Sequence, residues 1–566
     1  MNLRERIIVI FPIVLIILFL YIIITAIEQN FENNLIKENL MWIIPIFLAI
    51  AFFLLIFSFI WSFKVLKNLF KKIDRKTWIA LLLIFIVGLS LRVFVAPHTD
   101  RILFDEDMYL QIGQNIVLYG KAGMCDYGDL EQCYIIWLNK QPNGYPFLMS
   151  FTFLFGTGET AAHYVTAVIS SLTILTVFFI SYLLFEDKKI SLLSSLIFSF
   201  IPIAIRWAPT TSSDTVFLFF MGLTVFAFLS YFKSKDNKVL LFSFVSLAYA
   251  IQIRPEGALL IGVIMILFLI LARDLFSILS NKRFLAILII FSILIIPHLL
   301  HLNAVKEQGW GTEQDKLSFE YLDNNFETNA GFFFENTRFP VIFTIFSLIG
   351  LAGMIVSKKF KEEIFLGLWF IIFFTQYLLF YAGSFYYGTD VRFSLTMYIP
   401  IAIFGGYGAF FISKSVSDLV NRFFKNKYVH LVAAVIIVII IILAFIPFLN
   451  FVGEKGEKAW DARLHHDFLT EKLNELDDDS WILSLTPAIP QINGKKTFYS
   501  PNFIKSEWAD KLLNDGRVYY FEGYWSRLDV FQTGIVQYMK DNYNLTVYDS
   551  ITEKDRTYTL HYVTRK

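Results

Sequence analysis

Apolar stretches fenced by charged clusters recur along the first four-fifths of this chain. Most are long enough to cross a hydrocarbon core of about 30 Å as a single helix. Thirteen spans are expected, at 7–27, 40–63, 78–96, 161–185, 190–205, 215–232, 239–252, 258–271, 284–302, 341–356, 364–381, 394–412 and 429–449. With 56% of its 566 residues apolar and 63 phenylalanines, the chain needs a solvent that is largely lipid. The first run has no small-residue cleavage site, and a second span follows it after a short acidic loop, so it reads as a retained anchor rather than a leader.

The alternate loops differ in charge. Lys64, Lys67, Lys71, Lys72, Arg75 and Lys76 precede the third span, and Lys188 with Lys189, Lys233, Lys235 and Lys238, Lys282 with Arg283, Lys358 with Lys359, and 414–427 fill later loops of the same set. Because cytoplasmic loops retain positive charge during insertion, the N-terminus is expected inside, with 99–145 and everything after Asn450 outside, in a multi-pass plasma-membrane protein. The net charge of +1 is spread over these loops rather than gathered in a patch, which excludes a nucleic-acid partner.

Three regions follow: an anchor hairpin with a basic linker (1–77), a transmembrane module (78–450) with an outer loop at 97–145, and an extracytoplasmic domain (451–566). In the last, short apolar runs at 481–485, 497–499, 518–521, 545–548 and 558–563 read as strands, and 458–476 and 528–542 as helices. The fold class expected is therefore a polytopic α-helical membrane protein with a C-terminal soluble α/β domain. Cys125 and Cys133 are the only cysteines, and both fall in the outer loop. Oxidising conditions there favour a disulfide, the alternative being two free thiols.

The outer loop carries the chemistry. Asp105, Glu106, Asp107 and Tyr109 open a segment in which Met108, Ile112, Ile116 and Tyr119 recur at helical spacing, predicting an interfacial helix with carboxylates at its positive end. The bland role for Asp105 is that of a helix cap. The loop closes on 139–146, where Lys140 stands at the membrane surface. Further outer helix ends supply Arg206 with Asp214, Arg254-Pro255-Glu256, and Asp390-Val391-Arg392. Asp214 has a capping alternative, and each arginine a snorkelling one. Carboxylates and cations concentrated at this depth are what a lipid-linked phosphate requires, since guanidinium groups offer paired donors to its oxygens. His98, His298 and His301 lie near outer helix ends, and His301 with Glu106 and Asp107 makes a candidate set for a divalent metal ion.

Taken in order, Asp105-Glu106-x-x-Tyr109, Lys140-x-Pro142, Asp214, Arg254-Pro255-Glu256 and Arg392-Phe393 resemble the GT-C superfamily of polyprenyl-phosphate-sugar-dependent glycosyltransferases, nearest its protein O-mannosyltransferase and aminoarabinose-transferase branch. The likeness runs from about Trp78 to Leu449. It implies about thirteen transmembrane helices in a GT-C-like arrangement and a sugar, mannose among the candidates, carried on dolichyl or undecaprenyl phosphate. It implies Asp105 as the catalytic carboxylate and Lys140 at the lipid phosphate. Asn139 stands where that family has an acidic residue, which weakens the case for a metal there.

The reaction expected is inverting attack of an acceptor hydroxyl on the anomeric carbon. Asp105 is the base and Glu106 its substitute or a positioning group. Tyr109, Lys140, Asp214, Arg254, Glu256 and Arg392 bind the donor. The acceptor is a glycan, lipid or protein, and membrane lipids surround the whole. The competing reading is a secondary transporter or lipid flippase. Against it, the polar residues collect at the outer interface, and no paired interrupted helices are visible.

Overall fold

The computed structural model describes residues 33–155, 158–271, 281–308, 315–386, 388–424, 428–455, 460–504, 506–523, 526, 534–553 and 556–566. The first expected span, 7–27, lies outside them. Among the described residues, eight helices are long and apolar enough to cross a membrane, and three shorter apolar ones accompany them at Asn237–Ile253, Pro255–Leu271 and Val341–Val356. Among the described residues the expected count of thirteen is not confirmed. Expected span 190–205, for instance, is a twelve-residue helix, Lys188–Ser199, broken before a short turn of helix at Pro202–Arg206. Pro202 ends the ladder, because it has no N–H to donate.

One end of the bundle is marked by acidic caps set beside basic residues. Asp74, Asp187, Asp236 and Asn281 accept backbone N–H groups at the starts of Arg75–Ser90, Lys188–Ser199, Asn237–Ile253 and Lys282–Ala304. Lys188 pairs with Asp74, and Lys233 with Glu186, at the same end. Helix Asn33–Leu69 is packed into the bundle: Phe52 meets Phe147 and Tyr249 edge-on or tilted. Helices Val341–Val356 and Tyr398–Phe424 cross so closely that a Cβ on Gly350 or Gly408 would run into the facing backbone. Small residues permit this where no hydrophobic force drives helices together.

The C-terminal domain is a seven-stranded mixed sheet in the order β2-β1-β4-β3-β5-β7-β6. Five of its strands come from the C-terminal region: β3 (Trp481–Ser484), β4 (Lys496–Tyr499), β5 (Val518–Glu522), β6 (Tyr543–Glu553) and β7 (Arg556–Arg565). The other two, β1 (Met124–Gly128) and β2 (Cys133–Trp137), belong to the loop between the membrane helices, with β1 pairing antiparallel to β4 through Tyr127 and Phe498. A disulfide joins Cys125 to Cys133 across this hairpin.

Side chains alternate along each strand, so both faces are apolar and both are covered. Trp481, Leu483, Phe498 and Tyr520 pack with Ala509, Leu512, Ile535 and Met539, while Ile482, Tyr519 and Phe521 pack with Phe468, Leu469 and Leu473 on the other side. The sheet thus grips the outer loop, and buried amides extend the grip to the helix Asp105–Tyr119. Gln491 accepts from Gln111 Nε2 (2.5 Å) through its Oε1 and donates to Asn115 Oδ1 (2.8 Å). Paired in this way, Gln111 Nε2, Asn115 Oδ1 and the Gln491 amide escape the penalty of unmet hydrogen bonds.

Candidate functional site

The helix Asp105–Tyr119 begins after a tight loop whose backbone is gathered by one side chain. Glu106 Oε1 accepts the N–H groups of Arg101 (2.9 Å) and Ile102 (2.8 Å), and Oε2 that of Leu103 (2.9 Å). Leu103 lies in the left-handed region, with φ 62°, an uncommon conformation for a side chain of this size. Anchored in this manner, the loop delivers Asp105 at the first turn, where the helix dipole favours negative charge.

Asp105 meets a cluster drawn from three other segments. Its Oδ2 lies 3.6 Å from Arg392 Nη2, and Arg392 Nε lies 3.6 Å from Asp214 Oδ1. Arg254 pairs with Asp214 and makes a two-point contact with Glu256, at 2.9 and 3.1 Å. The ring of Phe393 underlies both guanidiniums, 5.0 Å from that of Arg392 and 5.7 Å from that of Arg254. Three carboxylates and two guanidiniums therefore meet where the helix Ser213–Ser234 starts, Asn237–Ile253 ends and the 3-10 segment Gly388–Met397 passes.

Exposure separates the carboxylates: the Asp105 side chain keeps 19% of its surface, Asp214 only 5%. Asp105 is also loosely held, since Gln141 Nε2 approaches its Oδ1 at 3.5 Å. Burial raises the Asp105 carboxyl above its ordinary range, against the pull of Arg392. Buried Arg392 Nη1 has no hydrogen-bond partner. A buried donor left open is costly, and an anionic oxygen would satisfy it. Lys140 is close enough for the Asp105 charge to raise its affinity for a proton, although burial is the larger influence and lowers it. Tyr109 donates to Gln141 Oε1 (3.4 Å) and accepts from Ser213 Oγ (3.2 Å), tying the closing segment of the loop to the helix that carries Asp214.

The structure thus brings together Asp105, Tyr109, Lys140, Asp214, Arg254, Glu256 and Arg392. It separates others. Glu106 is wholly buried and its oxygens accept three backbone N–H groups, so it gathers the loop and does not face the arginines. Arg206 turns away to the exit segment, donating to Phe451 O and lying 4.2 Å over that ring.

The expected metal set of Glu106, Asp107 and His301 does not assemble. His301 Nε2 is bonded to Asn139 O (2.7 Å), and the ligand atoms of these three residues do not gather within reach of one ion. Among the described residues, carboxylates and histidines close enough to share a cation form two other groups, Asp100 with Asp107 and His466, and Asp100 with Glu159 and His163. No sequence motif links them, because His466 is some 360 positions from the loop and reaches it only when the C-terminal domain docks.

The model of the dolichyl-phosphate-mannose-protein mannosyltransferase family matches residues 140–301. No curated protein matches the sequence significantly. Among solved structures, the archaeal oligosaccharyltransferase AglB from Archaeoglobus fulgidus, in complex with an inhibitory peptide and a dolichol-phosphate, is similar with a TM-score of 0.53 at 12% identity, over 87% of this chain and 74% of its own. ArnT from Cupriavidus metallidurans in the apo state is similar with a TM-score of 0.51 at 13% identity, over 86% of this chain and 97% of its own. The helical bundle, the outer-loop helix and the appended sheet domain together give the chain the fold seen in AglB and ArnT.

Proposed function

We propose that this protein transfers a sugar from a polyprenyl-phosphate carrier to an acceptor hydroxyl, with inversion at the anomeric carbon. The observation that carries the reading is the meeting of one accessible carboxylate, Asp105, with the guanidinium of Arg392, which keeps an unsatisfied buried donor. AglB, of the same fold, is described in complex with a dolichol-phosphate, and the family matched at 140–301 is described by its dolichyl-phosphate-mannose donor.

In this reading the acceptor hydroxyl sits against Asp105. The carboxylate takes its proton as the new C–O bond forms, and a base of this kind contributes roughly 10²–10⁴-fold. The bond from the anomeric carbon to the phosphate oxygen breaks on the opposite face. Phosphate is already a good leaving group, so the demand is to stabilise the charge growing on its oxygens. Arg392 and Lys140 meet that demand, while Asp214 and Glu256 hold Arg254 beside them. Positioning donor and acceptor at one end of the bundle converts an encounter between membrane-bound partners into a first-order step.

Mannose is the sugar we propose, on the family description alone. The site faces outward, because the basic, acid-capped helix ends lie at the other end of the bundle. The transporter or flippase reading is not favoured by the placement of charge at helix ends.

The test is transfer of labelled sugar from a panel of short-chain polyprenyl-phosphate donors by purified protein in nanodiscs, with crude membrane acceptors. The reading expects turnover with at least one donor, mannosyl first. Folded protein inert toward every donor would overturn it.

A further inference from the structure

A second polar cluster lies on the other side of the Asp105 turn, between the bundle and the C-terminal domain. His466, on the helix Trp460–Leu473, places Nε2 3.2 Å from Asp107 Oδ1 and 3.8 Å from Asp100 Oδ2. The side chains of Asp100 and Asp107 are 1% and 6% exposed, and Oδ2 of each has no hydrogen-bond partner. Two buried carboxylate oxygens left unsatisfied beside an imidazole nitrogen is an unusual arrangement, since buried charge ordinarily has a partner or a metal.

The surroundings hold these groups in the orientation a cation would need. Asp100 Oδ1 accepts from Thr211 Oγ1 (2.6 Å), and His466 Nδ1 faces the more exposed Asp467 at 3.7 Å, an ion-pair rather than a hydrogen-bond distance. A ligating histidine is commonly fixed through its other nitrogen by such a carboxylate. On the second group, His163 Nδ1 is bonded to Pro209 O (2.5 Å), so that nitrogen carries the proton and Nε2 is left toward Asp100 Oδ1 (3.9 Å) and Glu159 Oε1 (3.8 Å). The nearby guanidinium does not neutralise these acids. Arg463 turns its terminal nitrogens to Thr99 Oγ1 and to the main-chain oxygens of Asp100 and Lys455.

We infer that Asp100, Asp107 and His466 bind a divalent transition cation, with His163 and Glu159 flanking it through Asp100. Mixed imidazole and carboxylate donors suit Zn²⁺ or Mn²⁺ rather than a soft monovalent ion. Ligand bonds of about 2.0–2.2 Å require these side chains to close inward by roughly 1 Å. The site stands apart from the arginine-bearing cluster and adds a positioning role. One ion would join the loop before Asp105, the first turn of the helix Asp105–Tyr119 and the C-terminal domain, through a ligand two residues from Asp105.

The experiment uses the full chain in nanodiscs, stripped with a chelator and titrated with Zn²⁺ alone by calorimetry. About one equivalent is expected to bind and to raise the thermal midpoint. Affinity should fall about 100-fold or more in His466→Gln and in Asp107→Asn, while His301→Ala binds as wild type does. Because the first two variants disturb a domain contact, Co²⁺ is also added to wild type alone, where the intense visible bands of a low-coordinate nitrogen–oxygen site are expected. Wild type that binds Zn²⁺ no more tightly than His466→Gln, or gives only the pale spectrum of hydrated Co²⁺, would overturn the inference and leave the cluster as an imidazolium–carboxylate contact.

Discussion

Two clusters of carboxylates flank the same turn of chain, and they differ in what faces them. Asp105, Asp214 and Glu256 face Arg254 and Arg392, whereas Asp100, Asp107 and Glu159 face His466 and His163. Guanidinium groups stay charged at any working pH and offer a planar fork of donors. Imidazoles change charge near neutrality and ligate metals. The first cluster is thus a permanent electrostatic frame, suited to an anion that arrives and leaves. The second is built for something that stays.

The comparison breaks most severely at Arg254. Replacing it by Met leaves Glu256 buried without its partner and Asp214 with only the more distant Arg392, and removing one side of such a group costs about 3–5 kcal/mol. Thermal unfolding should show a large drop in midpoint, and an unchanged midpoint would mean that the cluster is not a frame. Arg392 is held more loosely, at 3.6 Å from both of its carboxylates. Arg392→Gln should cost transfer about 10²-fold, roughly 2.7 kcal/mol of transition-state stabilisation, with a smaller loss of stability. A variant in which stability falls and the turnover of the folded fraction holds would give Arg392 a purely structural part.

Gln491 sharpens the contrast, because it joins the same two regions as His466 without charge. Gln491→Ala takes one buried hydrogen bond from each of Gln111 and Asn115, for an expected loss of about 1–3 kcal/mol in unfolding experiments. It should leave Zn²⁺ binding unaltered.

The smallest effect expected is on the pH profile. Asp105 must be ionised to accept a proton, and burial raises its pKa above the ordinary 3.8. The transfer rate should therefore climb with pH through that raised value and then level. Arg392 opposes the rise, so Arg392→Gln should move the acid limb to higher pH. A limb that stays in place or moves to lower pH would contradict the pairing.

The helix Asp105–Tyr119 and most of the membrane helices were legible in the sequence, because apolar length and a 3.6-residue period survive in any tertiary setting; 341–356 coincides with its expected bounds. So were the five C-terminal strands, as short apolar or alternating runs. What could not be read was everything that depends on docking. β1 and β2 are short and join a sheet formed some 350 residues later, so no local pattern marks them as part of it. Glu106 looks like Asp105 on the page, and only the three backbone amides folded onto it set it apart. His466 stands among ordinary helix residues, and its neighbours Asp100 and Asp107 are supplied by the loop. Gln491 leaves no trace for the same reason.

The central claim, that Asp105 is the base of a sugar transfer, is tested most directly by comparing wild type with Asp105→Asn in two readouts on purified protein: transfer from a polyprenyl-phosphate sugar, and binding of that donor. The account predicts transfer reduced by at least about 10²-fold, with donor affinity kept within a few-fold. Turnover at the wild-type rate in Asp105→Asn would contradict it.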